Sequence, residues 1–239
     1  LITNCAFLPE RIERLAGSLD AVICSLDWPG PVHDELRGYP GLYRRVVESI
    51  GIMRDRYRHI RVMINSVVSR LNADQIGELV RLAARLGVSI YVNPIEVGLT
   101  GPEGFEPIKQ SLAVGPEQLA TIFRQLLRMK QQGWPINNSA AYLRFFALGR
   151  RRYRCHARKV YVELRPNGDL VDCLNRSQPV ANVRRVGLAE LLARPSVTRL
   201  RTMPVDCCLC NNANVIDCSN IWSLRAESVL ALLKLYLAR

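Results

Sequence analysis

Short apolar runs alternating with amphipathic stretches fill the first 95 residues of this chain, and that alternation leaves few folds open. Residues 21–26 form a nearly continuous apolar run, as a strand covered on both faces requires. Residues 60–64 and 89–92 read as further strands, and residues 1–3 as the end of another. Between them Leu42, Val46, Ile50 and Met53 recur at helical spacing, as do Ile76, Leu79, Val80, Ala83 and Leu86. Asn72 with Gln75 three residues on resembles a capping box for the second of these helices, and Gly87 supplies its stop. A third helix opens at Pro116, buries Leu119, Ile122, Phe123, Leu126 and Leu127, and ends at Gly133. Strands and helices in this order predict parallel βαβ units with right-handed crossovers.

Parallel α/β sheets carry their sites at the carboxyl edge of the strands. Here the strand ends read Thr3-Asn4, Ser25-Leu26-Asp27, Asn65-Ser66 and Asn93-Pro94-Ile95-Glu96. Short polar groups at one edge can hydrogen-bond a polar ligand. Capping of the helices that follow is the competing explanation for any one of them, and four in succession favour a site.

Beyond a connector and short helix at 135–146 the periodicity changes. Residues 159–164 alternate, Asn167-Gly168 makes a turn, and residues 170–174 return as a hairpin partner. Residues 188–192 and 196–201 read as short helices, and a terminal helix is expected from 223. Six of the eight cysteines lie in the last 85 residues. Cys155 and Cys173 bracket Gly168, with twelve residues before it and four after, and Cys207 and Cys210 follow as a C-x2-C pair. Thiolates grouped in this way are soft ligands, which points to iron–sulfur or zinc and away from calcium or magnesium. Spacing leaves iron–sulfur and zinc both open. Cys208 can stand in for Cys207 with a tighter C-x-C bite, Cys218 is a spare thiol, and Cys5 and Cys24 sit in or beside strands as packing residues.

The net charge is +12, and 49% hydrophobic residues exclude a disordered chain. Arginine and lysine are scattered over most helices, which argues against a nucleic-acid footprint. The one dense run, Arg150-Arg151-Arg152-Tyr153-Arg154 with Arg158 and Lys159, flanks Cys155, where cations would stabilise an anionic cluster. Residues 1–8 lack the basic region and apolar core of a signal peptide, and the apolar tail at 229–237 is too short for a membrane span. Cysteines at ligand spacing without such a signal favour a reducing cytoplasm.

Strand ends, hairpin and cysteines together resemble radical S-adenosylmethionine (SAM) enzymes with a C-terminal twitch module, the shorter relative of SPASM. Thr3-Asn4-Cys5 is similar to that family's T-N-G segment. Ser25-Leu26-Asp27 followed by His33-Asp34-Glu35-Leu36-Arg37-Gly38 is similar to its S-L-D-G and H-D-x-L-R-G stretch. Cys155 to Cys173 fits its C-x(9–15)-G-x4-C pattern, and Cys207 with Cys210 the next pair. The resemblance implies an α/β fold, a partial (β/α)6 TIM-like barrel over 1–134, a connector helix at 135–154, and an auxiliary iron–sulfur module with a C-terminal helix at 155–239. It implies a 5′-deoxyadenosyl radical that abstracts hydrogen in an oxidoreductase. Thr3, Asn4, Ser25, Asp27 and Asn65 would line the SAM pocket, and Cys155, Cys173, Cys207 and Cys210 would hold an auxiliary [4Fe-4S] cluster. A small molecule or peptide would be the substrate, and a flavodoxin or ferredoxin the electron donor.

The chain departs from the family in four places. No C-x3-C-x2-C occurs in it, so a second [4Fe-4S] cluster is expected on a segment preceding Leu1, and this fragment alone is expected to be inactive. Cys5 stands where the family has Gly, and Trp28 where Gly follows S-L-D. Seven residues separate Cys210 from Cys218, which breaks the full SPASM series and favours one auxiliary cluster. The alternative is a zinc- or cluster-stabilised binding module without catalysis, using the arginine run to grip nucleic acid or an acidic partner.

Overall fold

The computed structural model describes residues 1–97, 105–149, 153–160, 162–171, 179–202, 205–207, 210–224, 226 and 229–230. Its elements through the first half are β1 (Ile2–Thr3), α1 (Leu8–Leu15), β2 (Ala21–Ser25), α2 (Val32–Arg37), α3 (Leu42–Arg56), β3 (Arg61–Val68), α4 (Ile76–Arg85) and β4 (Ser89–Pro94). Then come α5 (Phe105–Leu112), α6 (Pro116–Gln131), α7 (Ala140–Ala147), β5 (Tyr153–Cys155), α8 (Ala157–Val160), β6 (Glu163–Leu164) and β7 (Asp169–Val171). The last are β8 (Pro179–Asn182), α9 (Leu188–Ala193), α10 (Pro195–Thr202), β9 (Val205–Cys207) and α11 (Ala213–Trp222). They form two compact units: Leu1–Ile95 with Val114–Gly149, and Glu96–Ala113 with Arg150–Arg239.

In the first unit β1 to β4 make one parallel sheet in the order β1-β2-β3-β4. A doubly wound sheet reverses its order partway, whereas strands that follow one another without reversal curl in one sense, as in a barrel. Alternation along each strand separates two faces. Val22 and Cys24, Ile64, Ser66 and Val68, and Ile90 and Val92 are sealed on one of them, where α3 and α4 pack. Ile23, Ser25, Asn65, Val67, Tyr91 and Asn93 lie on the other and are half-buried. The strand read at 60–64 continues to Val68 because Asn65 falls on the open face while Ser66 and Val68 return to the sealed one.

The helices read at 42–53, 76–86 and 116–133 are present. The capping box is not formed: Gln75 occupies the cap of α4 without a side-chain bond, and the buried Asn72 does something else. Its Nδ2 donates to Asp27 O at 3.0 Å and Val67 O at 2.9 Å, and its Oδ1 accepts from Ser69 N at 2.8 Å. One amide thereby ties the ends of β2 and β3 together. The stretch read as a connector also pairs with the sheet, since Ile90 N donates to Pro135 O and Asn137 N to Ile90 O. Asn138, fully buried, then grips both Val92 N and Val92 O with its side chain, replacing a backbone partner by an amide of the same polarity. Residues 135–138 are a fifth lane beside β4, and α7 follows it.

The second unit is built from smaller pieces. β5 pairs antiparallel with β9, and β6-β7-β8 form a three-stranded antiparallel sheet. Gly168 makes the expected turn at φ +87°, and a Cβ there would meet the Arg184 side chain at 2.9 Å. Where alternation pointed to a strand from 159, residues 157–160 instead coil into α8, because Ser219 Oγ holds His156 N and Lys159 N bonds back to His156 O. The helices read at 188–192 and 196–201 are α9 and α10. α11, capped by the Asn212 side chain on Asn214 N, was hidden among asparagines, and most of the terminal helix expected from 223 lies outside the described residues.

Candidate functional site

At the carboxyl edge of the parallel sheet, Ser25 lies beside Asn65 in register, and Asn65 beside Tyr91. Asn93 Nδ2 donates to Asn65 Oδ1 at 2.8 Å, and the Tyr142 hydroxyl, from α7, donates to Asn93 Oδ1 at 3.2 Å. Ser25, Asn65 and Asn93 therefore make a polar strip on the open face. Tyr142 is fully buried against Phe123 and Phe146 and brings the strip a phenol that the strand-end pattern does not reveal. Its signal in the sequence is only an aromatic at core spacing in α7.

The other residues read as pocket groups are placed differently. Thr3 pairs with Cys24, on the sealed face, and its Oγ1 accepts from Cys5 N at 3.0 Å. Asn4 Oδ1 accepts from Ala6 N at 3.1 Å. Both side chains shape the turn after β1. That turn puts Cys5 at φ +65°, the left-handed region, which accounts for the glycine of the T-N-G pattern. Cys5 occupies it nonetheless, with its side chain fully buried against Cys24. Interaction with Cys5, then burial, pushes the Cys24 thiol far above the ordinary range, so Cys24 is a packing group, while Cys5 Sγ donates to Thr3 O at 3.9 Å. Trp28 adopts no positive φ, so the turn after Asp27 does not need glycine.

Both carboxylate oxygens of Asp27 are used within the protein. Oδ1 accepts from Val67 N at 2.9 Å, and Oδ2 accepts from Arg37 Nε at 2.8 Å and from its Nη2. The H-D-x-L-R-G segment explains itself residue by residue around this anchor. His33 is fully buried and accepts Asp27 N–H on Nδ1 at 3.3 Å, and burial pushes its pKa below the usual histidine value. Asp34 receives Gly41 N and Tyr43 N at 2.6 and 2.7 Å and so caps α3 from the preceding helix. Arg37 pairs Asp27, and Gly38 at φ +62° ends α2.

In the second unit the cysteine module centres on β5. Cys207 stands opposite Tyr153 in the antiparallel register, two positions from Cys155. Cys210 is buried and its Sγ donates to Glu96 Oε1 at 3.4 Å. Burial, then the Glu96 charge, pushes its thiol well up. His156 is buried beside Cys155, and burial, then Lys159 and Arg154, lowers its pKa. Cys218, on α11, is half-buried, and burial raises its thiol. Cys173, Cys208 and Arg150 to Arg152 lie outside the described residues, as does the side chain of Cys207. Among the described residues no three His, Cys, Asp or Glu side chains gather as a metal cage. The β5–β9 register still brings Cys155 and Cys207 to one pair of strands, with Cys210 three positions further along the chain, which fits a thiolate-held group.

Over 94 residues the chain is 33% identical to the AdoMet-dependent heme synthase of Methanosarcina barkeri (strain Fusaro), a match covering 38% of this chain and 26% of that protein. The enzyme of the same name from Nitratidesulfovibrio vulgaris (strain Hildenborough) is 33% identical over 82 residues, 33% of this chain and 22% of that one. No family model matches. Among solved structures, native anSMEcpe with bound AdoMet and the Cp18Cys peptide superimposes with a TM-score of 0.60 at 14% identity, over 84% of this chain and 58% of that one. SuiB of Streptococcus suis does so with a TM-score of 0.59 at 16% identity, over 84% and 50%. The chain thus spans little more than half of these structures, and its match about a quarter of the heme synthases.

Proposed function

Since this chain belongs to the radical SAM superfamily and carries part of its fold, we propose that the whole protein is a SAM-dependent radical oxidoreductase with one auxiliary [4Fe-4S] cluster. The observation that carries this reading is the strip of Ser25, Asn65 and Asn93 at the open carboxyl edge of a sheet whose structural neighbours are AdoMet proteins. SAM lies along that strip, touching Ser25 and Asn65, while Thr3, Asn4 and Asp27 hold the surrounding turns, each accepting a backbone N–H on a side-chain oxygen. Cys155, Cys173, Cys207 and Cys210 hold the auxiliary cluster. A bound cluster supplies or relays one electron, and the protein positions the ligands and excludes water.

The substrate is a peptide or small molecule, a reading supported by the peptide-bound state of anSMEcpe. Electrons come from a flavodoxin- or ferredoxin-type donor. No described helix is long and apolar enough to cross a membrane; the cytoplasmic setting is favoured by cysteines at ligand spacing. These residues contain no C-x3-C-x2-C, so a cluster that binds and cleaves SAM would need thiolates other than this series.

Anaerobic reconstitution with iron and sulfide tests the reading. About four irons and four sulfides per chain are expected at the auxiliary site. A chain that instead saturates with a single zinc and takes no sulfide overturns it in favour of a zinc-stabilised binding module.

A further inference from the structure

The hydrogen bonds at the strand edge form a chain with a direction. It runs from a buried phenol through Asn93 to Asn65 Oδ1. An amide that accepts on its oxygen can only present its nitrogen on the other side. Among the described residues Asn65 Nδ2 meets no acceptor, and neither it nor the Ser25 hydroxyl is among the sealed polar atoms. We propose that Tyr142 is a positioning residue for this edge: acting through Asn93, it fixes Asn65 to offer an N–H beside Ser25, so the site selects ligand groups that accept hydrogen bonds.

The heavy-atom distances alone would also allow the mirror assignment, in which both amides are turned and the phenol accepts. The chemistry of the phenol decides between them. Its oxygen lone pair is drawn into the ring, so Tyr142 is a better donor than acceptor, and the carbonyl of Asn93 faces it. Ligand groups suited to the presented N–H are ribose hydroxyl and ring oxygens or a carbonyl, whereas an ammonium or exocyclic amine is refused at that point. The ligand class rests on the SAM reading above; the direction of the chain does not.

Two substitutions separate the assignments without any ligand. Asn65→Asp keeps the oxygen that accepts from Asn93 and changes only the outward group, so its Tm should stay within about 1 °C of the parent. Asn93→Asp sets two oxygens against each other inside the chain and should lower Tm by about 4 °C or more. The reverse ranking overturns the proposal. Tyr142→Phe keeps the ring packing and should shift or broaden the Asn65 side-chain amide resonances in an NMR spectrum; an unchanged Asn65 signal overturns the positioning role. With S-adenosylhomocysteine as the probe, Tyr142→Phe should weaken binding about five- to tenfold and Asn65→Asp more. Parent affinity retained by Tyr142→Phe counts against the proposal. If the parent itself fails to bind the probe while the Tm ranking and the NMR shift hold, the directed chain stands and the SAM reading of the edge falls.

Discussion

The two units reach a defined structure by different means. The first is held by apolar area: Ile64, Ile90, Leu79, Val80 and Leu42 are all sealed, and each such side chain contributes about 1.5–3 kcal/mol relative to exposure. The second has strands of two to four residues, a handful of sealed side chains such as Leu170, Val171, Leu191 and Ile216, and cysteines where a larger core would otherwise be. A regular unit needs little more than pattern, whereas a small irregular one needs staples. The difference teaches where damage should be felt.

The largest effect is expected from taking the staple away. Cys155→Ser or Cys210→Ser should cut iron from about four per chain to below about one and open residues 150–239 to trypsin, with the cleavage pattern of residues 1–95 unchanged. Equal sensitivity of both units would break the comparison. Leu79→Ala in α4 should cost about 3 kcal/mol in urea unfolding while leaving iron content intact. Asn72→Ala strips four hydrogen bonds from the ends of β2 and β3, and about 2 kcal/mol should be lost there; no loss would mean water replaces the amide. Gly168→Ala forces a left-handed turn on a side chain pressed against Arg184, an expected loss of about 1–2 kcal/mol, read as a weaker β6–β7 hairpin in hydrogen exchange. The smallest effect concerns pH. His33 is neutral when folded because burial lowers its pKa beneath the unfolded value near 6.5, so the unfolded chain takes up the proton first and stability falls as pH drops below about 6.5. His33→Asn, whose Oδ1 can take the place of Nδ1, should flatten that slope between pH 7 and 5, as followed by Tm.

Much of the first unit was legible because its signals are local. Periodicities of two and of three to four residues located β2, β4, α3, α4 and α6, and glycine and proline located their ends. The unread parts depend on partners far away in sequence. Asn138 looks like a loop residue until Val92 stands beside it, 46 positions earlier. Asn72 has the spacing of a cap, yet its partners are the carbonyls of Asp27 and Val67 rather than its own helix. α1 and α2 fell on stretches where proline and charge obscure a one-turn or two-turn apolar stripe. At the site, Ser25 and Asn65 could be read from strand ends, but Tyr142 could not, since a buried aromatic in a short helix looks like packing alone. Thr3, Asn4 and Asp27 carried the right residue types for a ligand, yet Thr3 Oγ1, Asn4 Oδ1 and Asp27 Oδ1 each accept a backbone N–H, and Asp27 Oδ2 is taken by Arg37.

Because every lane of the first unit's sheet lies beside its neighbour in sequence, the β1-β2-β3-β4 order also bears on how fast the unit can assemble. Each parallel pairing closes a loop of one or two helices and their turns, and no lane is inserted between two that precede it in sequence. The sheet can therefore grow by accretion, with each finished strand serving as the template for the next. Long-lived exposure of unpaired strand edges, the common hazard of parallel sheets during synthesis, is confined to the outermost lane.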